Sequence, residues 1–192
     1  MPNDTPPSSG SPSSGPRVMT IPPGEDRERL TCPDCGYIAY RNPLIVVGAV
    51  AVWEDGRILL CRRAIEPRKG YWTLPAGFME ERESTMEGAA REAWEEARAR
   101  IEIDALLAVY DIPRISQVQM IFRARLLSPD VEAGPESQEV GLFRWQEIPW
   151  DELAFPTVTW ALREHHDRLG RHDFAPALNP TPDTLARWDR ML

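Results

Sequence analysis

The sequence predicts an α+β fold, one domain made of a mixed β-sheet with a few helices. Three observations carry it. Strand-length runs rich in branched and aromatic residues recur between residues 44 and 145. An amphipathic helix with its own capping signal interrupts them near Ser84. The 192 residues are enough for one ordinary core and too few for two.

Residues 1–28 hold seven prolines, five serines and three glycines and almost nothing apolar. They read as a disordered leader, because so little buried surface cannot offset the entropy of ordering. A cysteine knuckle, Cys32-Pro33-Asp34-Cys35-Gly36, falls within a short segment 29–42, and the folded domain is expected over 43–170. Leu44–Trp53 and Arg57–Arg62, separated by Glu54-Asp55-Gly56, read as a β-hairpin. A short strand at Trp72–Leu74 runs into the turn Pro75-Ala76-Gly77. The helix runs from Ser84 to about Arg98, with Ser84 and Glu87 at capping-box spacing and Met86, Ala89, Ala90, Ala93 and Ala97 as its small apolar face. Ile101–Tyr110, Val118–Leu127 and Val140–Trp145 are further strands, and Thr157–Leu169 is a second helix closed by Gly170. Residues 171–192 are read as a tail without assigned structure.

Composition excludes several functions. Thirty acidic against 22 basic residues give a net charge of −8, the wrong balance for a general nucleic-acid binder. The longest apolar run, Leu44–Trp53, is about half of what a bilayer-spanning helix requires. No basic start followed by an apolar stretch opens the chain, and three cysteines cannot form a disulfide framework, so a cytoplasmic protein is expected.

The chemistry concentrates between Gly77 and Glu96. On a helix Glu92, Glu95 and Glu96 are i, i+3 and i+4, so their carboxylates share one face, opposite the alanines. Like charges so placed destabilise a helix by about 0.2–0.5 kcal/mol per pair. Hard oxygen ligands are what Mg²⁺ or Mn²⁺ takes, especially where phosphate oxygens complete the shell. Three glutamates alone would more often be a solvated face. The glycine turn, the capping box, Glu83 and Arg91 at fixed spacing turn the balance toward a site.

Gly77, Glu83, Arg91, Glu92, Ala93, Glu95 and Glu96 match G-x5-E-x7-R-E-U-x-E-E, where U is apolar. In this the chain resembles the Nudix hydrolases, and the resemblance implies their fold over about residues 43–155, a mixed β-sheet sandwiched between α-helices. The resemblance implies hydrolysis of a nucleoside diphosphate linked to another moiety, with Mg²⁺ or Mn²⁺ neutralising the diphosphate and activating water. It implies Glu92, Glu95 and Glu96 as metal ligands, the carbonyl of Ala76 or Gly77 completing the shell, and Glu83 and Arg91 as buttresses. A box glutamate or Glu139 would accept the water's proton, with Glu136 the competing acid in the same loop. Two departures stand out: Arg98 replaces the glycine that ends the family's box, and Arg82 stands where many relatives have glycine. A non-glycine in the left-handed conformation costs on the order of 1 kcal/mol. Either the helix would run on to Arg100 or its exit would rearrange.

The flanks Cys32–Gly36, Tyr40–Pro43, Trp72–Phe78, Tyr110–Pro113, Gly134–Glu139 and Ile148–Phe155 together resemble the zinc-ribbon-bearing branch that includes FAD and ADP-ribose pyrophosphatases. FAD or ADP-ribose, each releasing AMP, is therefore the expected substrate. A structural zinc needs four ligands, and Ser11 and Ser14 stand where the other knuckle belongs. His165, His166 and His172 lie in or after the second helix. The ribbon is read as degenerate, without zinc. Trp72, Phe78 and Tyr110 are candidate stacking surfaces, and Arg62, Arg63 and Arg114 candidate phosphate contacts. NADH or nucleoside triphosphate hydrolysis and a weakened nucleotide-binding protein are the alternatives. A small-molecule dinucleotide or nucleotide-sugar partner and a homodimer are expected, with no membrane or nucleic acid.

Overall fold

A computed structural model describes residues 15–190, and the chain divides at Asn42/Pro43 into two compact units. In the smaller, β1 (Val18–Thr20), β2 (Arg29–Thr31) and β3 (Ile38–Ala39) form an antiparallel sheet in the order β1-β2-β3. The leader expected over 1–28 thus contains a strand, because β1 finds its hydrogen-bond partners in β2, from Val18↔Thr31 to Thr20↔Arg29. Its first fourteen residues lie outside the described ones.

The larger unit is built on β4 (Leu44–Val52), β5 (Ile58–Arg63), β6 (Trp72–Thr73), β7 (Ala76–Phe78), α1 (Thr85–Ala97), β8 (Ile101–Ile112), β9 (Gln117–Leu126), β10 (Ser137–Phe143), α2 (Pro156–Asp167) and α3 (Pro182–Asp189). The main sheet runs β10-β5-β4-β9-β8, with β4 and β9 parallel and the other neighbours antiparallel. Alternation along β4 decides which face meets what. Val47, Ala49 and Ala51 pack under the alanines of α1, whereas Val50 lies in the opposite core with Leu162 of α2. Met86, assigned to the apolar face of α1, is instead about half exposed, since Ala89, Ala93 and Ala97 already define the buried stripe.

The expected hairpin forms only at its tip. β4 and β5 pair at Val52↔Ile58 and then separate, and the chain around Pro75 enters the gap. β6 continues on β5 and β7 on β4, while the Ala49 N–H donates to the Pro75 carbonyl at 3.2 Å. Gly48 makes room: a Cβ there would lie 2.7 Å from that carbonyl. This wedge carries Ala76 and Gly77 to the sheet surface beside α1.

The C-terminal segment, left without structure above, closes the β8 edge. Ala177 exchanges backbone hydrogen bonds with Leu107 and Val109 at 2.9 and 2.8 Å. The Asn179 carboxamide brackets the backbone of Asp111 at 2.9 and 2.8 Å. Pro182 occupies the first turn of α3, where its fixed φ favours a helix, and Trp188 is buried. The prolines there start a helix rather than prevent one. Gly170 does not cap α2, which ends at Asp167 with Arg168 at the cap.

Candidate active site

Ser84 caps α1 as its spacing foretold. Its Oγ accepts from the Glu87 N–H at 3.3 Å, and Glu87 accepts from the Ser84 N–H at 2.8 Å. The preceding loop is held down by Arg91. The guanidinium grips Glu83 with two hydrogen bonds of 2.9 and 2.8 Å and donates to the Phe78 carbonyl at 3.0 Å. It also reaches Glu92 at 2.7 Å and Glu95 at 3.0 Å. Arg91, with a second hydrogen bond from the Glu80 N–H, holds the Glu83 carboxyl down to about 2. Gly88 leaves space for this clamp, since a Cβ there would stand 2.7 Å from Glu83 Oε1.

Glu92 and Glu96 are buried, whereas Glu95 is mostly exposed. Burial pushes Glu92 up against the opposing effect of Arg91. Burial and then the neighbouring Glu92 charge push Glu96 up to about 8, against the opposing effect of the Ala76 backbone. Glu96 Oε2 is buried with no hydrogen-bond partner among the described residues. Gly77 packs so close to the Glu92 carboxylate that a side chain there would collide with it. A desolvated carboxylate pair with one orphaned oxygen fits a divalent cation, which would relieve both costs. Glu95 is tied to Arg91, and no three His, Cys, Asp or Glu side chains converge as a ready metal cage among the described residues.

These groups line a cleft of about 1010 Å³. The Gly134 N–H donates to the Glu96 carbonyl at 2.9 Å, docking the loop that brings Glu136 into the cleft. Ala76, Gly77, Phe78, Arg63 and Arg114 also line it. Four candidates lie elsewhere. The Trp72 ring is buried against Phe143 at 4.9 Å and Tyr110 against Trp160 at 5.4 Å, so neither is a stacking surface for a ligand. Arg62 bonds to the Gly70 carbonyl and pairs with Glu139 across the β5–β10 ladder, outside the cleft lining. A register shift between Ser137 and Glu139 separates the strand residue from the loop acid, so Glu136 rather than Glu139 is the cleft's late-loop carboxylate. Sequence reasoning missed Glu80, Phe155, Trp160, Gln117 and Gln119 as cleft residues. Only the glutamines left a signal, as polar residues alternating with apolar ones at the start of the strand.

The two glycine departures are absorbed by arginine. Arg98 caps α1 at φ +50° and Arg82 sits at φ +69°, each in the left-handed region. The helix neither runs on to Arg100 nor leaves by a rearranged exit, because Arg98 adopts the backbone conformation a glycine would favour. The Arg98 and Arg100 guanidiniums lie 5.7 and 5.5 Å from the centre of the Trp94 ring. Such contacts contribute about 0.5–1 kcal/mol each at exposed sites.

In the smaller unit, the Cys32 N–H donates to the Tyr37 carbonyl at 2.8 Å, forming the knuckle turn. Cys32 is buried and Cys35 exposed. Arg17 bonds both oxygens of Asp34 at 2.7 and 3.0 Å. Ser11 and Ser14 lie outside the described residues. His165 is buried and His166 stacks on Trp145 at 4.0 Å, so both are engaged within their own unit. Two cysteines do not complete a four-ligand zinc site.

Residues 42–169 match the family model described as NUDIX domain, and residues 14–41 match the one described as Nudix N-terminal. The chain belongs to the Nudix hydrolase family. Among its relatives is a crystal structure of a NUDIX hydrolase from Nitrosomonas europaea, 48% identical with a TM-score of 0.78, covering 84% of this chain and 92% of that one. A MutT-like protein of Streptomyces ambofaciens is 42% identical over 42% of this chain, which spans about half of that relative (51%). An ADP-ribose pyrophosphatase of Methanocaldococcus jannaschii is 31% identical over 62% of this chain and 71% of its own. No helix among the described residues is long and apolar enough to cross a membrane.

Proposed function

We propose that this protein hydrolyses the diphosphate of a nucleoside diphosphate linked to another moiety, ADP-ribose or FAD, in a divalent-metal-dependent reaction. The observation that carries the reading is the buried Glu92–Glu96 pair at the cleft, with the unpartnered Glu96 Oε2. The likeness to the archaeal ADP-ribose pyrophosphatase supports the substrate class.

Glu92 and Glu96 would hold Mg²⁺ or Mn²⁺, with the Ala76 or Gly77 carbonyl and Glu95 as further ligands. When bound, the metal supplies charge neutralisation at the diphosphate and acidifies the attacking water. Arg91 and Glu83 fix the Gly77–Glu83 loop against α1. Arg63 and Arg114 would pair with phosphate oxygens, a role supported by their lining the cleft. Glu136 would accept the water's proton in preference to Glu139, a reading supported by its lining the cleft while Glu139 does not. ADP-ribose would yield AMP and ribose 5-phosphate, and FAD would yield AMP and FMN.

The test is AMP release from ADP-ribose, FAD and NADH at equal concentration, with Mg²⁺, with Mn²⁺ and with chelator. Metal-dependent cleavage of ADP-ribose or FAD that disappears in Glu96→Gln supports the reading. Binding without cleavage of any substrate overturns it in favour of a nucleotide-binding protein. Glu136→Gln is expected to lower kcat at least 100-fold and Glu139→Gln less than about 3-fold, on the usual size of general-base effects.

A further inference from the structure

We propose that Gln117 and Gln119 read the edge of an adenine base, making the cleft selective for adenine nucleotides. This rests on the hydrolase reading for the diphosphate but concerns a different part of the cleft. Along β9 the residues Gln117, Gln119 and Ile121 line the cleft. Across the ladders, Val46 stands opposite Gln119 and Ile112 opposite Gln117, and both line it too. Trp160 of α2 adds an aromatic wall. An apolar chamber of this kind, with a few placed polar groups, is the usual form of a small-molecule site.

The two carboxamides are half-buried, and their one hydrogen bond among the described residues is to each other, Gln119 Nε2 to Gln117 Oε1 at 3.5 Å, the long limit for such a bond. Each carboxamide keeps hydrogen-bonding capacity for a ligand, Gln119 through its oxygen and Gln117 through its amide nitrogen. Adenine presents a matching array, its N6 amino donor next to a ring-nitrogen acceptor. Hypoxanthine replaces that donor with an acceptor oxygen, so both carboxamides would have to turn over to pair with it.

The experiment compares ADP-ribose with its hypoxanthine counterpart, using the full-length wild type, Gln119→Leu and Gln117→Leu. In parallel, AMP and IMP binding is measured by calorimetry without metal. The wild type is expected to favour adenine by about 10–100-fold in kcat/KM, the range for one bidentate base contact, with a similar ratio in the Kd values. Either leucine variant should bring both ratios below about 3-fold by weakening the adenine compound, and the turnover that is left should still require metal. Equal ratios in the wild type, a preference for hypoxanthine, or folded variants that keep the adenine preference would overturn the inference and leave the hydrolase reading standing. Adenine-selective binding that is lost in the variants, in a wild type that cleaves nothing, would support the base site and overturn the hydrolase reading instead.

Discussion

The Arg91 guanidinium donates to both oxygens of the Glu83 carboxylate, at 2.9 and 2.8 Å, while the same side chain reaches Glu92 at 2.7 Å. One planar fork thereby couples the glycine loop to the candidate metal-binding carboxylates. Lysine keeps the charge and loses the fork. Arg91→Lys is expected to lower kcat/KM about 100-fold, the usual effect of misplacing a catalytic group by roughly 1 Å. It should also lower stability by about 2 kcal/mol, as expected for lost charge-assisted hydrogen bonds. Steady-state kinetics and urea unfolding check the two effects separately.

Glu96 is the residue whose burial makes least sense without a cation. Saturating Mg²⁺ or Mn²⁺ is expected to raise the Tm of the wild type, because a ligand that binds only the folded state stabilises it by mass action. Glu96→Gln should show little or no such rise while remaining folded. A scanning-calorimetry titration with each metal decides this, and an undiminished shift in the variant would remove Glu96 from the ligand set.

His165 makes stability depend on pH. Burial first, then the charges of Arg123 and His166, depress it from 6.5 to about 4. The unfolded chain therefore takes up the proton before the folded one does. Stability is fully present above about pH 6.5 and is lost as pH falls toward 4, by on the order of 3 kcal/mol. His165→Gln should flatten that part of the profile, measured by urea unfolding at successive pH values.

Arg98 tests whether the altered end of the box matters. Its positive φ favours glycine, and its guanidinium contributes to the Trp94 stack. Arg98→Gly should change stability by less than about 1 kcal/mol, since relief of strain offsets the lost contact. Arg98→Val, a branched residue in the left-handed region, should cost about 1–2 kcal/mol. A many-fold gain in kcat for Arg98→Gly would show that the arginine impairs the box.

Ending the chain at Arg171 removes the segment paired with β8, and with it the buried Trp188. The exposed strand edge should lower Tm and promote association between chains. Light scattering alongside thermal unfolding measures both.

Much of the candidate site could be read directly because it is local. The box from Gly77 to Glu96 is a turn, a cap and one helix, and helical geometry alone puts Glu92, Glu95 and Glu96 on one face. Its capping box lies within four residues. The side chains from distant strands were harder. Trp72 and Tyr110 look like ligand platforms in the sequence, yet strand parity turns both rings into the core. Glu139 and Glu136 differ by three positions, and a register shift decides which one meets the cleft.

The sequence by itself determined the class of fold, the helix that carries the carboxylates, and the family to which the chain belongs, since each depends on spacing within a short stretch. Tertiary structure alone decided that Pro75 wedges between β4 and β5, that Gln117 and Gln119 face the cleft, and that residues 177–179 close an edge. Each of these depends on which distant segment supplies a backbone partner or leaves a space, and that is set only when the whole core packs.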